Sequence, residues 1–160
     1  TDLIVFDELD FMDSKNVYIP YVNINNFLFQ NFGEFEYRHH ASLLLKKLFL
    51  KSNSKLHFYV NVCHSTFDIV VVKDANLKFF NIFEYDTKED FIYHILFTLE
   101  QLELSSEETM LTLTGDIEEN SDLFKILYKY VRNITFLNSK NAIFDNKQEV
   151  SKHSNFILLG

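Results

Sequence analysis

"LHFYVNVCHSTFDIVVV", residues 56–72, decides the fold. Leu56, Phe58, Val60 and Val62 lie on one face and His57, Tyr59 and Asn61 on the other, which is the period of a strand. The polar break Cys63-His64-Ser65-Thr66 is followed by a second apolar run, "FDIVVV", so the break reads as the bend between two strands. "KDAN" (73–76) has the chemistry of another short turn, and "LKFFNIF" (77–83) completes a three-stranded antiparallel meander.

Downstream the period changes. "DTKEDFIYHILFTLEQLEL" (86–104) opens with the capping residues Asp86 or Thr87 and with acids in its first turn. It then sets Phe91, Ile92, Ile95, Leu96, Leu99 and Leu102 on one stripe, the pattern of a helix laid on a core. "TMLTLT" (109–114) is a strand running into Gly115 and Asp116, "SDLFKILYKYV" (121–131) a helix with Ser121 as N-cap, and "NITFLN" (133–138) a fifth strand. The order from residue 56 to 138 is β-β-β-α-β-α-β. Hairpins make the first three strands antiparallel neighbours. Right-handed crossovers then place the fourth strand parallel to the first, for a spatial order 3-2-1-4-5. In such a sheet a ligand meets the carboxyl ends of the first and fourth strands, so the Cys63 bend and the Gly115 loop are expected to be neighbours.

Upstream, "LIVFDEL" (3–9) and "NVYIPYV" (16–22) read as extended segments, with Pro20 confining the second to an edge or strand end. "NINNFLFQNF" suggests a short helix stopping at Gly33. "EFEYRHHASLLLKKLFL" (34–50) suggests a longer one with Phe35, His39, Leu43 and Leu50 on a shared face. "KSNSK" (51–55) is the best internal boundary.

Composition narrows the function classes. At 160 residues the chain can bury a real core, and 18 Phe and 8 Tyr supply it. A formal charge of -8 argues against a nucleic-acid or anionic-membrane partner, because binding a phosphate backbone needs clustered Lys and Arg. One cysteine cannot make an internal disulfide, and no apolar run reaches membrane-spanning length, so the expected compartment is the cytoplasm. The chain starts at Thr1 rather than Met, and is expected to be a piece of a longer protein.

The element order and the wording of two segments carry a resemblance. "NVCHSTFDIVVV" resembles the second phosphate-binding strand-turn-strand of the actin-like ATPase superfamily, whose fold is ribonuclease-H-like, and "LTLTGDIEEN" is placed like its adenosine-binding segment. The run "FDIVVVKD..LKFFNIFEYDTKEDFIYHILFTLEQLEL....LTGDI" is similar to a bacterial family of uncharacterised proteins, domain-of-unknown-function family 3822, with an actin-like fold. The resemblance implies two lobes: residues 1–50 would be the end of a first lobe and the inter-lobe helix, and 56–160 the second, ribonuclease-H-like lobe. It also implies a nucleotide site at Asn61, Ser65, Thr66, Asp68, Gly115 and Asp116, with ATP and Mg²⁺ as the cofactors to be tested.

The departures from the family pattern concern chemistry. Asn61 stands where the pattern has Asp, and Cys63, His64 and Ser65 stand where it has glycines. Thr66 and Phe67 occupy the threonine positions, and Asp116 replaces a glycine. Glycines serve there because a chain without Cβ atoms reaches positive φ and brings amides close to phosphate oxygens. Three glycines in the whole chain make such a cradle hard to build. The reading therefore leans away from an enzyme: a non-catalytic, pseudo-ATPase scaffold that binds another protein or itself, with a divergent ATP/Mg²⁺-binding ATPase as the alternative.

Rival sites are weaker. Cys63 and His64 are adjacent in an extended segment and point to opposite faces, which separates a nucleophile from its base. His39, His40, His57, His64, His94 and His153 show no metal-ligand spacing. Asp7, Glu8, Asp10 and Asp13 read as a solvated strand end and loop rather than paired catalytic carboxylates. Exposed aromatics in "YIPYV" and "FEYRHH" are candidates for an interface, and core packing is the alternative for them.

Overall fold

A computed structural model of the chain describes residues 3–52 and 55–137. The chain divides into two compact units, Thr1–Lys51 and Ser52–Gly160. His153 and Asn138, the last residue of the expected fifth strand, lie outside the described residues.

In the first unit, β1 (Val5–Leu9) and β2 (Ser14–Tyr18) pair antiparallel, from Val5 opposite Tyr18 to Leu9 opposite Ser14. A single 3-10 turn at Asp10–Met12 joins them, closed by Asp13 at φ 48. Helix α1 (Val22–Phe32) ends at Gly33, whose φ of +82 and N–H donated to the Phe29 carbonyl form its C-terminal stop. Helix α2 (His40–Lys51) buries Ala41, Ser42, Leu44, Leu45 and Leu48.

Two expectations fail here. Residues 34–39 are not helical, and the buried face of α2 is not the Phe35/His39/Leu43/Leu50 one: Phe35 precedes the helix and Leu50 is 78% exposed. The helix starts late because its first turn is capped from outside. His39 Nδ1 accepts from the Ala41 N–H at 3.2 Å, and the His39 N–H goes to Asp7 Oδ2 at 2.8 Å.

Asp7 is also a correction. It is buried rather than solvated, and accepts from Ser42 Oγ at 2.6 Å and from the Tyr18 hydroxyl at 3.1 Å, while Asn16 donates to Ser42 Oγ at 2.9 Å. Burial pushes the Asp7 carboxyl up, but the bonds from Ser42, His39 and Tyr18 and the charge of Arg38 outweigh it and hold the group below the usual carboxylate range. Burial and the same carboxylate push the Tyr18 phenol up to about 12.

The second unit is a mixed five-stranded sheet with two helices. β3 (His57–Val62), β4 (Thr66–Lys73) and β5 (Asn76–Glu84) form an antiparallel meander, and β6 (Met110–Gly115) and β7 (Asn133–Phe136) add in parallel on the other side of β3. The spatial order is β5-β4-β3-β6-β7. Asp74 and Ala75 turn the β4–β5 hairpin with φ of 53 and 56, the left-handed pair that matches strand twist.

Helix α3 (Lys88–Gln101) starts at Thr87, whose Oγ1 accepts the Asp90 N–H at 3.1 Å while Asp90 Oδ2 accepts the Thr87 N–H at 2.9 Å. Ser121 Oγ caps α4 (Asp122–Tyr130) at the Phe124 N–H. The core of this unit lies on one face of the sheet. Phe58, Val60 and Val62 of β3 and Phe67, Ile69 and Val71 of β4 pack there with Phe91, Ile95 and Leu99 of α3 and Leu127 of α4. The strands' other residues point to the opposite face, and several of them are polar and buried: Asn61, Asp68, Thr112 and Thr114.

Candidate functional site at the carboxyl ends of β3 and β6

Pairing builds the site. Asn61 lies opposite Asp68 on one side and Thr114 on the other, so the three form a polar row across β4, β3 and β6 on the face away from the core. Asn61 and Asp68 are 3% and 2% exposed, and Asn61 Nδ2 donates to Asp68 Oδ2 at 2.8 Å. A buried carboxylate is tolerable only with such partners. The amide also makes a long 3.9 Å contact to Cys63 Sγ.

One residue further along, Val62 faces Gly115, and the Val62 carbonyl accepts the Asp116 N–H at 2.8 Å. Gly115 holds φ +85. A Cβ there would collide with the Val62 carbonyl oxygen and approach Val62 N to 2.9 Å and Asn61 Oδ1 to 3.0 Å. This glycine is therefore required by the close approach of two strand ends, and it joins the Cys63 bend to the Asp116 loop.

The bend itself is tight. Cys63 N–H donates to the Thr66 carbonyl at 2.8 Å, leaving His64 and Ser65 at an exposed tip. Among the described residues the left-handed non-glycine positions are Asp13, Asp74, Ala75 and Glu103, and none falls in this bend. Successive amides converge on an anion when right- and left-handed residues alternate, so the bend does not form that nest.

Tyr85 clamps it. The Tyr85 N–H donates to the Ser65 carbonyl at 3.1 Å, and its hydroxyl donates to the Cys63 carbonyl at 2.8 Å and the His64 carbonyl at 3.3 Å. Sequence reasoning missed Tyr85, although the hairpin register pairs Glu84 with Thr66 and so carries the next residue alongside Ser65.

Electrostatics place Asp116 within reach of the same group. Burial first, then the charges of Asp68 and Asp116, push the Cys63 thiol up, and only the hydrogen bond with Thr66 opposes them. Burial, Cys63 and Asp116 likewise raise the Tyr85 phenol. A thiol held protonated is a poor nucleophile. Of the six sequence-derived site residues, Asn61 and Asp68 are hydrogen-bonded to each other, Gly115 pairs with Val62 beside them, Asp116 is hydrogen-bonded to the same strand end, and Thr66 binds Cys63. The Ser65 side chain sits at the exposed tip.

The donor set does not match a nucleotide-phosphate cradle. The bend lacks left-handed residues, the space beside Gly115 is filled by the Val62 carbonyl, and one oxygen of Asp68 already accepts from Asn61. Asn61 is a weaker Mg²⁺ ligand than a carboxylate.

A family described as protein of unknown function, DUF3822, matches residues 1–134. The chain belongs to that family. No curated protein matches the sequence. A crystal structure from Bacteroides thetaiotaomicron, described as a protein with actin-like ATPase fold and unknown function, superposes with a TM-score of 0.75 at 22% identity, over 85% of this chain and 54% of that one. The DUF3822 chain thus has the actin-like ATPase fold and spans about half the length of that relative. Among its described residues no helix is long and apolar enough to cross a membrane.

Proposed function

We propose that this DUF3822 chain is a non-catalytic actin-like module that binds another protein, with residues 1–50 as the end of a first lobe plus the inter-lobe helix, 56–160 as the second lobe, and a cytoplasmic place of action. One observation carries the reading: where an actin-like ATPase would hold phosphate, the bend after β3 has its Cys63, His64 and Ser65 carbonyls tied to Tyr85 and presents no left-handed amide pair. An anion is held by successive amides in alternating right- and left-handed residues, and no residue of this bend is left-handed. Free cysteine in the site is in keeping with a reducing compartment.

A divergent ATP- and Mg²⁺-binding function remains the second reading, with Asn61, Ser65, Thr66, Asp68, Gly115 and Asp116 as its residues. It is favoured by the two carboxylates, Asp68 and Asp116, that both act on Cys63. Calorimetric titration of the full natural polypeptide with Mg-ATP separates the two. The scaffold reading expects no saturable heat up to millimolar nucleotide. Saturable micromolar binding that Ser65→Ala and Thr66→Ala abolish would replace it with the ATPase.

A further inference from the structure

The first unit carries an unusual surface. Helix α1 buries none of its side chains and has no charged residue from Val22 to Phe32. Phe29 is 56% and Phe32 77% exposed, and Tyr21, just before the helix, is 81% exposed. Apolar side chains exposed singly are ordinary, but a contiguous set marks an interaction surface.

The irregular segment 34–38, between α1 and α2, adds shape to this surface. Phe35 and Tyr37, with ring centroids 5.9 Å apart, form a wall shared by two grooves. One groove, of about 400 Å³, is mainly apolar along Leu3, Val22 and Phe29, with Asn25, Asn26 and Glu34 also in its lining. The other, of about 470 Å³, is lined by Asp7, Glu8, Asp10 and Glu36, with Arg38 the one cation among its lining residues. Lys15 neutralises part of this charge through Glu8, at 3.4 Å. Apolar and acidic pockets thus stand side by side.

We propose that this double groove docks a basic segment of another protein, with an aliphatic or aromatic side chain in the apolar groove and a neighbouring Lys or Arg in the acidic one. The inference rests on the protein-binding reading above and supplies the chemistry of the partner. Charge complementarity selects the occupant. A second copy of a chain with net charge -8 would bring like charge to the acidic groove, whereas a basic segment is drawn to it and held by the apolar anchor.

The test uses the full natural polypeptide, so that a groove already covered by another part of the same protein is detected as failure to bind. A fluorescein-labelled synthetic peptide of alternating Leu or Phe and Lys is titrated by fluorescence anisotropy, beside a counterpart with Glu for Lys. Expected is saturable binding of the Lys peptide alone, weakening as salt screens the acidic groove. Phe29→Ser, and separately the pair Glu8→Lys and Glu36→Lys, should each weaken it roughly tenfold or more. The pair Glu100→Lys and Glu108→Lys makes the same charge change at exposed positions of the second unit and should leave binding unchanged.

No binding, equal binding of the Glu peptide, or equal loss in the Glu100/Glu108 variant would overturn the proposal. A dimer by light scattering that Phe29→Ser dissociates would overturn it in favour of self-association. Peptide binding indifferent to the groove variants sinks this inference alone, whereas Mg-ATP binding sinks the scaffold reading whatever the peptide does.

Discussion

Replacing Gly115 with alanine is the sharpest perturbation of the site. The residue holds φ +85, a conformation that costs an L side chain about 1–2 kcal/mol. The added Cβ would also overlap the Val62 carbonyl oxygen and lie 2.9 Å from Val62 N, and both are backbone atoms of a central strand. Relief requires β3 and β6 to separate at this end, which strains the Asp116 N–H bond to Val62 at 2.8 Å and moves Asn61 against its buried partner Asp68. Together these effects should cost about 3–5 kcal/mol, a large part of the stability of a typical domain. Urea unfolding followed by far-UV circular dichroism reads the loss, and in a thermal scan the midpoint should fall by more than about 10 °C. A variant destabilised by less than about 1 kcal/mol would refute the close approach, and with it the account of how the two loops are joined.

Three further outcomes follow from the same geometry. Asn61→Asp replaces the amide that donates to buried Asp68 with a second carboxylate and should cost about 3 kcal/mol at neutral pH, as urea unfolding would record. Asp7→Ala orphans the Ser42, Tyr18 and His39 donors and should destabilise the first unit by about 2–3 kcal/mol at neutral pH, read as faster amide exchange in α2. Because the folded Asp7 pKa lies below its ordinary 3.8, the wild-type advantage is present above that value and disappears as pH falls through the folded pKa. Cys63 should react with a disulfide reagent near neutral pH more slowly than free cysteine, and Asp116→Asn should speed it a few-fold by removing one of the charges that raise the thiol.

Much of the second unit is legible in the sequence because its local signals agree. The alternation through Val62, the Thr87 and Ser121 caps and the α3 stripe each point to the element that forms. The stripe residues Phe91, Ile92, Ile95 and Leu99 are all buried, with Leu96 and Leu102 packed against them. What escaped depends on distant partners. The Asp7 side chain looks solvated in its acidic run, and only the fold brings it to His39 and Ser42, 32 and 35 residues away. The start of α2 escaped for the same reason: its first turn is capped by His39 and held by Asp7, neither of which sits in a familiar N-cap motif. At the candidate site the strand ends were readable from topology, but the clamp by Tyr85 lies 21 and 22 residues from the carbonyls it holds.

The central claim is that the bend after β3 is a closed structural turn and not a phosphate cradle. Backbone amide NMR with millimolar Mg-ATP tests it residue by residue. The account predicts that the His64, Ser65, Thr66, Gly115 and Asp116 resonances stay in place. Saturable shifts confined to those amides, lost in Ser65→Ala together with Thr66→Ala, would contradict it.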